Sequence, residues 1–448
     1  MADLAELAAQ LNDFDSQRRS AALRILAEKA ERKEIELPKE KNIVNMHCHT
    51  FYSFNAYGYS PSGIAWLAKQ GGWRAAGIVD FDVVDGVEEF LDACDLLSLR
   101  GATAIETRVH VPEFADLEMT SPGEPGVTYH MGIGFTSNYV PEPGAALLRD
   151  MRARAIKRNR GMVEKINAYL APVVIDYDQD VLPLTPSGNA TERHILKAYL
   201  LAAERLFGGD ALARFWAERL QSPLEKVSAL LANPPEFQTL VRLKLMKKGG
   251  VGYVQPGPDS FPTVDEFHRF VTACKALPIA TWVDGTSNGE RQERRLLEYF
   301  VSKGIAAVNS IPDRVWNVAD PEMRRLKTQN LYDLVEIMKD LDLMMYMGTE
   351  MNAFGQKKID DFDVPELQPL RQVFLDGAHF VYGHTVLQRT LGLGYGSAWA
   401  EEFLPSRRKK NAFYTRIGER IPPGAAGLAV LKQVRLPVTP ESLLARFA

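Results

Sequence analysis

The sequence is poor in the features that mark several classes of protein. Its 3 cysteines, Cys48, Cys94 and Cys274, are too few and too odd a number for a disulfide framework, and they show no paired zinc-binding spacing. No stretch approaches the roughly 18 uninterrupted apolar residues of a membrane span. The 53 Lys and Arg residues nearly balance 57 Asp and Glu residues, so no excess of one sign attracts nucleic acid or anionic lipid. We therefore expect a cytoplasmic protein with a small-molecule substrate and no nucleic-acid or membrane partner; a homo-oligomer is left open.

The fractions of hydrophobic and charged residues are those of a folded protein. Of the 448 residues, 46% are hydrophobic and 25% are charged, which excludes disordered, collagen-like and coiled-coil chains. At roughly 150 residues per domain, the length allows about three domains, or one barrel that carries an insertion.

Short apolar runs alternate with helical patterns along much of the chain. This alternation predicts an α/β fold, and the strands together would nearly close a barrel. The predicted strands are 43–46, 75–79, 102–105, 129–135, 279–283, 306–311, 343–347 and 380–382.

Other stretches interrupt this alternation. The spacing of Leu4, Leu7 and Leu11 predicts an amphipathic helix near the N-terminus rather than a signal peptide. A long helical segment separates the fourth predicted strand from the fifth. We expect a helical leader at 1–37, a barrel at 38–140 and 271–400, an inserted helical domain at 141–270, and a C-terminal extension at 401–448.

The strongest chemical signal is His47-Cys48-His49, directly after the first predicted strand. Alternate residues of a strand point to the same side, so both imidazoles face one position. Neutral imidazole is a common ligand of transition metals, and the ends of barrel strands are where active sites form. One such pair alone is weak evidence of a metal site.

Further ligand-type residues lie at the ends of other predicted strands. Glu106 ends one strand, His130 begins the next, and His384 follows the last. Four of the 8 histidines thus fall in one pattern. We predict that His47, His49, Glu106, His130 and His384 bind metal; the alternative for His130 and His384 is a hydrogen-bonded place in the core.

The order of these motifs resembles the polymerase and histidinol phosphatase (PHP) family of metal-dependent phosphoesterases. The family's first motif is matched by His47-Cys48-His49-Thr50 with Ser53, and its second is similar to Val79-Asp80-Phe81-Asp82 followed by Asp85-Gly86-Val87. Glu106 and the segment 129–132 resemble the next two ligand strands. The resemblance implies a distorted TIM-like (β/α)7 barrel of the PHP type.

The sequence departs from the family at three motifs. Phe81 stands where the family has a metal-binding histidine, and Asp284 is the nearest replacement for an absent His-Pro pair. The last motif remains only as Tyr382-Gly383-His384-Thr385. These departures leave open whether the chain holds one metal ion or two.

The resemblance implies a metal-dependent hydrolase, with a phosphoric ester as the expected substrate. Zinc, manganese or iron would activate a water molecule. We expect catalytic roles for Glu106, Asp80 and Asp284, with Asp82 orienting a ligand. Substrate contacts are predicted for Arg108, Glu350, Asn352 and Lys357. The basic run 152–160 and His194 could also reach the site, although a solvated helix face and a helix cap are equally simple interpretations.

Two other functions remain open at this stage. One is a metal-dependent isomerase or lyase that acts on a sugar acid and uses Glu350 and Asn352. The other is a non-catalytic protein whose eroded PHP site binds one structural metal or none.

Overall fold

The computed structural model describes residues 3–448 and contains one seven-stranded sheet whose strands follow chain order. Neighbouring strands are parallel except that β4 runs antiparallel to both β3 and β5. The strands are β1 (Lys41–Cys48), β2 (Trp73–Phe81), β3 (Arg100–His110), β4 (Val127–Ile133), β5 (Leu277–Thr281), β6 (Ala307–Ser310) and β7 (Met344–Met347).

The sheet curls until its two edges meet at the end of β1. Cys48 forms an isolated bridge with Glu350, just after β7. The Glu350 N–H donates to the His47 carbonyl and the His49 N–H donates to the Glu350 carbonyl, both over 2.7 Å. The sheet is therefore a nearly closed, distorted TIM-like barrel, and the predicted fold class is confirmed.

The α-helices surround this barrel and also form a separate group between β4 and β5. Within residues 3–448 they are α1 (Leu4–Gln10), α2 (Ser16–Glu31), α3 (Pro61–Gly71), α4 (Val87–Leu97), α5 (Gly144–Leu170), α6 (Glu192–Leu206), α7 (Gly209–Arg219), α8 (Leu224–Leu231), α9 (Pro234–Met246), α10 (Val264–Ala273), α11 (Glu293–Ser302), α12 (Asp313–Trp316), α13 (Pro321–Asp340), α14 (Arg371–Leu391), α15 (Ala398–Phe403), α16 (Arg407–Arg420), α17 (Ala425–Leu431) and α18 (Pro440–Ala445).

The strand predicted at 380–382 is wrong, because these residues lie within helix α14. Most of α14 is buried, including Phe380, Val381 and Tyr382. A helix that is covered on nearly all sides shows a continuous apolar run, which periodicity alone does not distinguish from a buried strand.

The helices between β4 and β5 have an apolar core of their own. Ile166, Tyr199 and Trp216 are fully buried members of this cluster, which is separate from the cluster inside the barrel. Helix α10 differs, since its Phe267 and Phe270 belong to the barrel core. The boundaries 141–270 and the other predicted domain limits stay predictions, and residues 1–2 of the predicted leader lie outside the described residues.

The leader and the C-terminal helices both pack on the barrel. Leu7 and Leu23 join a cluster with Ile64 of α3. Helix α16 crosses α14 so closely that a Cβ atom on Gly418 would lie 1.9 Å from the His379 carbonyl oxygen. In the part of the chain described, no helix is both long enough and apolar enough to cross a membrane.

Candidate metal centre

Three buried side chains converge at the carboxyl end of β1. His47 and His49 project from alternate positions at this end, and Glu106 projects from β3. The two Nε2 atoms lie 3.3 Å apart. Glu106 Oε2 lies 3.5 Å from His47 Nε2 and 3.2 Å from His49 Nε2. The side chains that the strand pattern placed together therefore form one compact triangle of ligand atoms.

The far side of the His47 ring contacts Asn309, at the end of β6. His47 Nδ1 lies 3.0 Å from Asn309 Oδ1, an acceptor. The ring nitrogen at Nδ1 must therefore carry the proton and donate it. In the neutral ring, Nε2 then presents a lone pair to the triangle.

A two-step relay fixes the His49 ring in the same way. Ser53 Oγ donates its single proton to Asp80 Oδ1 over 2.6 Å, so towards His49 Nδ1, 3.0 Å away, it acts as an acceptor. In the neutral ring, His49 Nδ1 thus carries the proton and Nε2 carries the lone pair. Asp80 also accepts from the N–H and hydroxyl of Thr50.

When both rings are neutral, three acceptor atoms therefore face one another in a buried space. Glu106 Oε2 is buried and receives no aligned hydrogen bond within the described chain, despite its short distances to both rings. A tetrahedral zinc ion with bonds of about 2.0–2.1 Å separates its ligand atoms by about 3.3 Å. The observed edges of 3.2, 3.3 and 3.5 Å match that spacing. The residues fit a divalent ion with three protein ligands and an open position.

The charges of the three side chains in the triangle also favour a bound cation. Burial raises the pKa of Glu106, but the two imidazoles outweigh it and bring that pKa to about 2. Burial lowers the pKa of His47, and the neighbouring Glu106 carboxylate reverses this effect, for a net rise. The carboxylate thus stays ionised and favours positive charge between the three side chains.

His130 does not lie at this centre, and its placement there must be corrected. In the antiparallel register Glu106 is opposite Met131, whereas His130 is opposite Thr107 and faces outward. His130 Nε2 lies 2.7 Å from His268 Nε2 of α10. Burial lowers its pKa well below the ordinary value. His130 is therefore a hydrogen-bonded histidine of the core, which was the alternative interpretation of this residue.

His384 is also placed elsewhere, because its segment is helical. It is buried in α14, where its Nδ1 accepts the Tyr395 N–H over 3.0 Å. Burial lowers its pKa to about 4. The expectation that His384 follows a barrel strand and ligates metal is therefore corrected.

The three predicted aspartates have different surroundings. Asp80 reaches the triangle only through Ser53 and Thr50, so it positions a ligand. Asp82 accepts the Thr107 hydroxyl over 2.6 Å. Asp284 pairs with Lys327 at 2.8 Å and is not part of the triangle.

The segment after β7 borders the centre. The Glu350 carboxylate pairs with Arg314 at 2.6 Å and accepts from Gln356 at 2.8 Å. Its charge is one of the influences that raise the pKa of His47. Asn352 is half-buried nearby in sequence, and Lys357 lies over the Trp316 ring at 3.8 Å.

Arg108 follows Glu106 on the same face of β3, as predicted from strand alternation. It pairs with Glu124 at 2.7 Å and stacks on Phe261. Tyr129 is its register partner on β4 and faces the same side. Burial raises the pKa of Tyr129, against the influence of Arg108.

Phe81 takes the place of the absent histidine as a wall of the centre. Its ring stacks on His49 with a centroid distance of 4.5 Å. Sequence reasoning missed Asn309, Arg314 and Tyr129. Asn309 follows the strand-end pattern and could have been found, whereas the other two depend on tertiary placement.

The basic run on α5 has mixed surroundings. Arg160 pairs with Asp178 on the surface, and Arg152 donates to the Ser187 carbonyl. Arg158 instead reaches Phe261, beside Arg108. His194 is a helix cap, since its Nδ1 accepts the Thr191 N–H over 3.0 Å.

No protein-family model matches the chain, and no curated protein matches it. Two solved structures are similar in fold. An amidohydrolase from Chromobacterium violaceum, solved with bound sulfate and no metal, has a TM-score of 0.49 and 15% identity over 74% of this chain and 95% of that chain. A proposed metal-dependent phosphoesterase from Bifidobacterium adolescentis has a TM-score of 0.45 and 19% identity over 76% of this chain and 98% of that chain. Likeness at these values leaves the function to be argued from the site.

Proposed function

We propose that this protein is a metal-dependent hydrolase of small phosphate esters and a divergent member of the PHP family. The observation that carries the proposal is the triangle of three buried ligand atoms on His47, His49 and Glu106. Two imidazoles and one carboxylate with an open position form a donor set that recurs in catalytic metal sites. The ordered motifs around these residues support the choice of a phosphate ester.

Each side chain has a separate task in this proposal. A divalent zinc, manganese or iron ion at the triangle would lower the pKa of a bound water to about 7 and polarise a phosphoryl oxygen. Asn309 and Ser53 hold the two imidazoles with Nε2 facing inward. Phe81 shields the His49 ring from water, and Glu350 orients polar groups of the substrate at the rim.

The three-ligand set favours one tightly held ion. In the PHP family a histidine would add a further metal ligand at the position that Phe81 occupies here. Asp284 does not replace that ligand, because its carboxylate forms an ion pair with Lys327. Asp284 and Asp80 are therefore not assigned a direct part in the reaction. A sugar-acid isomerase or lyase and a non-catalytic metal protein remain as outcomes of the test.

The proposal is tested by release of inorganic phosphate from a panel of phosphate esters by the zinc-, manganese- or iron-loaded protein. We expect turnover that falls by at least about a hundredfold in His47→Ala and Glu106→Ala, because both remove a ligand of the activating ion. His110→Ala, on the same strand as Glu106 but outside the triangle, is the matched control. Activity on sugar acids alone, or no activity on either panel in metal-loaded protein, would contradict the proposal.

A further inference from the structure

The helices between β4 and β5 reach the rim of the metal centre. Asn189 Nδ2 donates to the carbonyls of Tyr52 and Phe81 over 2.9 and 2.8 Å. Phe81 is the residue whose ring covers His49. The His194 ring packs edge-on against Phe54 with a centroid distance of 5.0 Å. These contacts hold the start of α6 against the loop that follows β1.

Basic side chains from both parts of the chain gather at this rim, and most of them have a carboxylate partner. Arg314 pairs with Glu350 at 2.6 Å. Lys247 pairs with Glu192 at 2.8 Å, and Arg242 pairs with the same carboxylate. Two carboxylates thus offset most of the positive charge of these three residues.

Arg193, the residue before His194 on α6, differs from these cations because it has no carboxylate partner in the described chain. Across residues 3–448 it forms neither an ion pair nor a side-chain hydrogen bond, although it is partly buried. Burial and the nearby cation Arg242 lower its pKa to about 10, against the influence of Glu192 and Glu350. A guanidinium held among other cations without a partner is unfavourable unless an anion joins it.

Arg158, on α5, is a second cation without an ion-pair partner in the described chain, and it lies beside Arg108. Its guanidinium lies 4.6 Å from the centroid of the Phe261 ring, and that of Arg108 lies 4.3 Å from it. Its Nη1 donates to the Ser260 carbonyl over 2.7 Å. In the described part of the chain no carboxylate forms an ion pair with Arg158, whereas Arg108 has Glu124.

We infer that Arg193 binds an oxyanion of the substrate, so that the inserted helices select the substrate of the barrel. A guanidinium presents paired N–H donors that match phosphate and carboxylate oxygens. The ligand class is a small metabolite that carries a phosphate or carboxylate group. The inference deepens the proposed function and rests on it only for the reaction that follows binding.

The test is calorimetric titration of the full-length, metal-loaded protein with inorganic phosphate and, separately, with malonate. We expect Arg193→Met to weaken binding of the preferred anion by about tenfold to a hundredfold, the usual worth of a charged hydrogen-bonding pair. Arg193→Lys keeps the charge without the paired donors, so its loss should be smaller. Arg205→Met, on the same helix but paired with Asp180 on the surface, should bind like the wild type.

The outcomes separate the inference from the proposed reaction. Binding that depends on Arg193 supports the inference even if no ester is hydrolysed, and the anion that binds more tightly identifies the substrate group. If esters are hydrolysed, Arg193→Met should raise KM with little change in kcat. Failure of the wild type to bind either anion, or unchanged affinity in a folded Arg193→Met protein, would overturn the inference.

Discussion

At the scale of single residues, proton positions decide what the candidate centre binds. His47 and His49 each use Nδ1 to donate to an oxygen, Asn309 Oδ1 in one case and Ser53 Oγ in the other. In the neutral rings, these contacts leave both Nε2 atoms as acceptors beside the Glu106 carboxylate. Partners behind a metal-binding histidine set its orientation and its basicity, so they are as open to test as the ligands.

Replacement of Ser53 tests this arrangement without removing a ligand. Ser53→Ala takes away the acceptor for His49 Nδ1–H, and we expect metal affinity to fall by about 10–100-fold. The measurement is competition for zinc with a chromophoric chelator. Ser302→Ala, at an exposed position of α11, is the control and should keep the wild-type affinity. Equal affinities of the wild type and Ser53→Ala would mean that the relay to Asp80 does not position His49.

The buried carboxyl group of Asp360 should make the stability of the folded protein depend on pH. Its Oδ1 accepts from Trp316 Nε1 over 2.8 Å, its Oδ2 is buried without a partner in the described chain, and burial raises its pKa to about 7. The unfolded value is about 3.9. The folded state therefore binds the carboxyl proton of Asp360 more tightly than the unfolded state does. This difference stabilises the folded protein fully below pH about 4, and the stabilisation is lost as the pH rises through about 7.

We expect Asp360→Asn to raise the melting temperature clearly at pH 8 and by a much smaller amount at pH 5. The substitution removes the charge whose burial destabilises the folded state at high pH. Thermal unfolding at both pH values measures the difference, with the exposed neighbour Asp361→Asn as control. The same shift at both pH values would show that Asp360 does not titrate as described.

The predicted places of His130 and His384 at the metal centre are wrong, and they show what the local sequence pattern does not determine. His47, His49 and Glu106 were predictable because the two-residue period of a strand fixes which side chains share a face. The same period places His130 on the opposite face once the register of β4 is known, and that register depends on pairing with a distant strand. Arg193 reaches the rim only through tertiary contacts of the inserted helices.

At the scale of elements, the contact between α14 and α16 limits the size of the residues at the crossing. A Cβ atom on Gly418 would lie 1.9 Å from the His379 carbonyl oxygen and 2.8 Å from the Gly383 nitrogen. Backbone atoms of a helix cannot move away singly to make room. The two helices must therefore separate if Gly418 gains a side chain.

We expect Gly418→Ala to lower the free energy of unfolding by about 1–3 kcal/mol or more, the cost of overpacking a close contact. Chemical denaturation measures it. Gly396→Ala is the matched control, because its added Cβ would meet no atom within 4 Å. An unaltered stability of Gly418→Ala would contradict the close crossing of α14 and α16.

The prediction of elements succeeded where periodicity and length agreed. The strands of the barrel were predicted from short apolar runs, and the long helical segment after β4 was recognised. The strand at 380–382 failed because α14 is enclosed by β7 and α16, which makes its sequence uniformly apolar. Burial on all sides removes the polar face that identifies a helix.

At the scale of the whole molecule, the barrel supplies the metal ligands and the inserted helices supply unpaired cations. The bridge between Cys48 and Glu350 closes the sheet beside His47 and His49. Asn189 ties the inserted helices to the same edge. In the proposed function, this arrangement would separate reactivity, which we assign to Glu106 and the two histidines, from recognition, which we assign to Arg193.

The most direct test of the account is the metal content of the purified full-length protein, measured by elemental analysis after equilibration with zinc, manganese or iron and removal of free ions. The account predicts about one tightly bound divalent ion per chain in the wild type, as expected for a set of three protein ligands. It predicts loss of that ion in His49→Ala with the barrel still folded, as judged by circular dichroism. A wild-type protein that retains no ion, or a His49→Ala protein with unchanged stoichiometry, would contradict it.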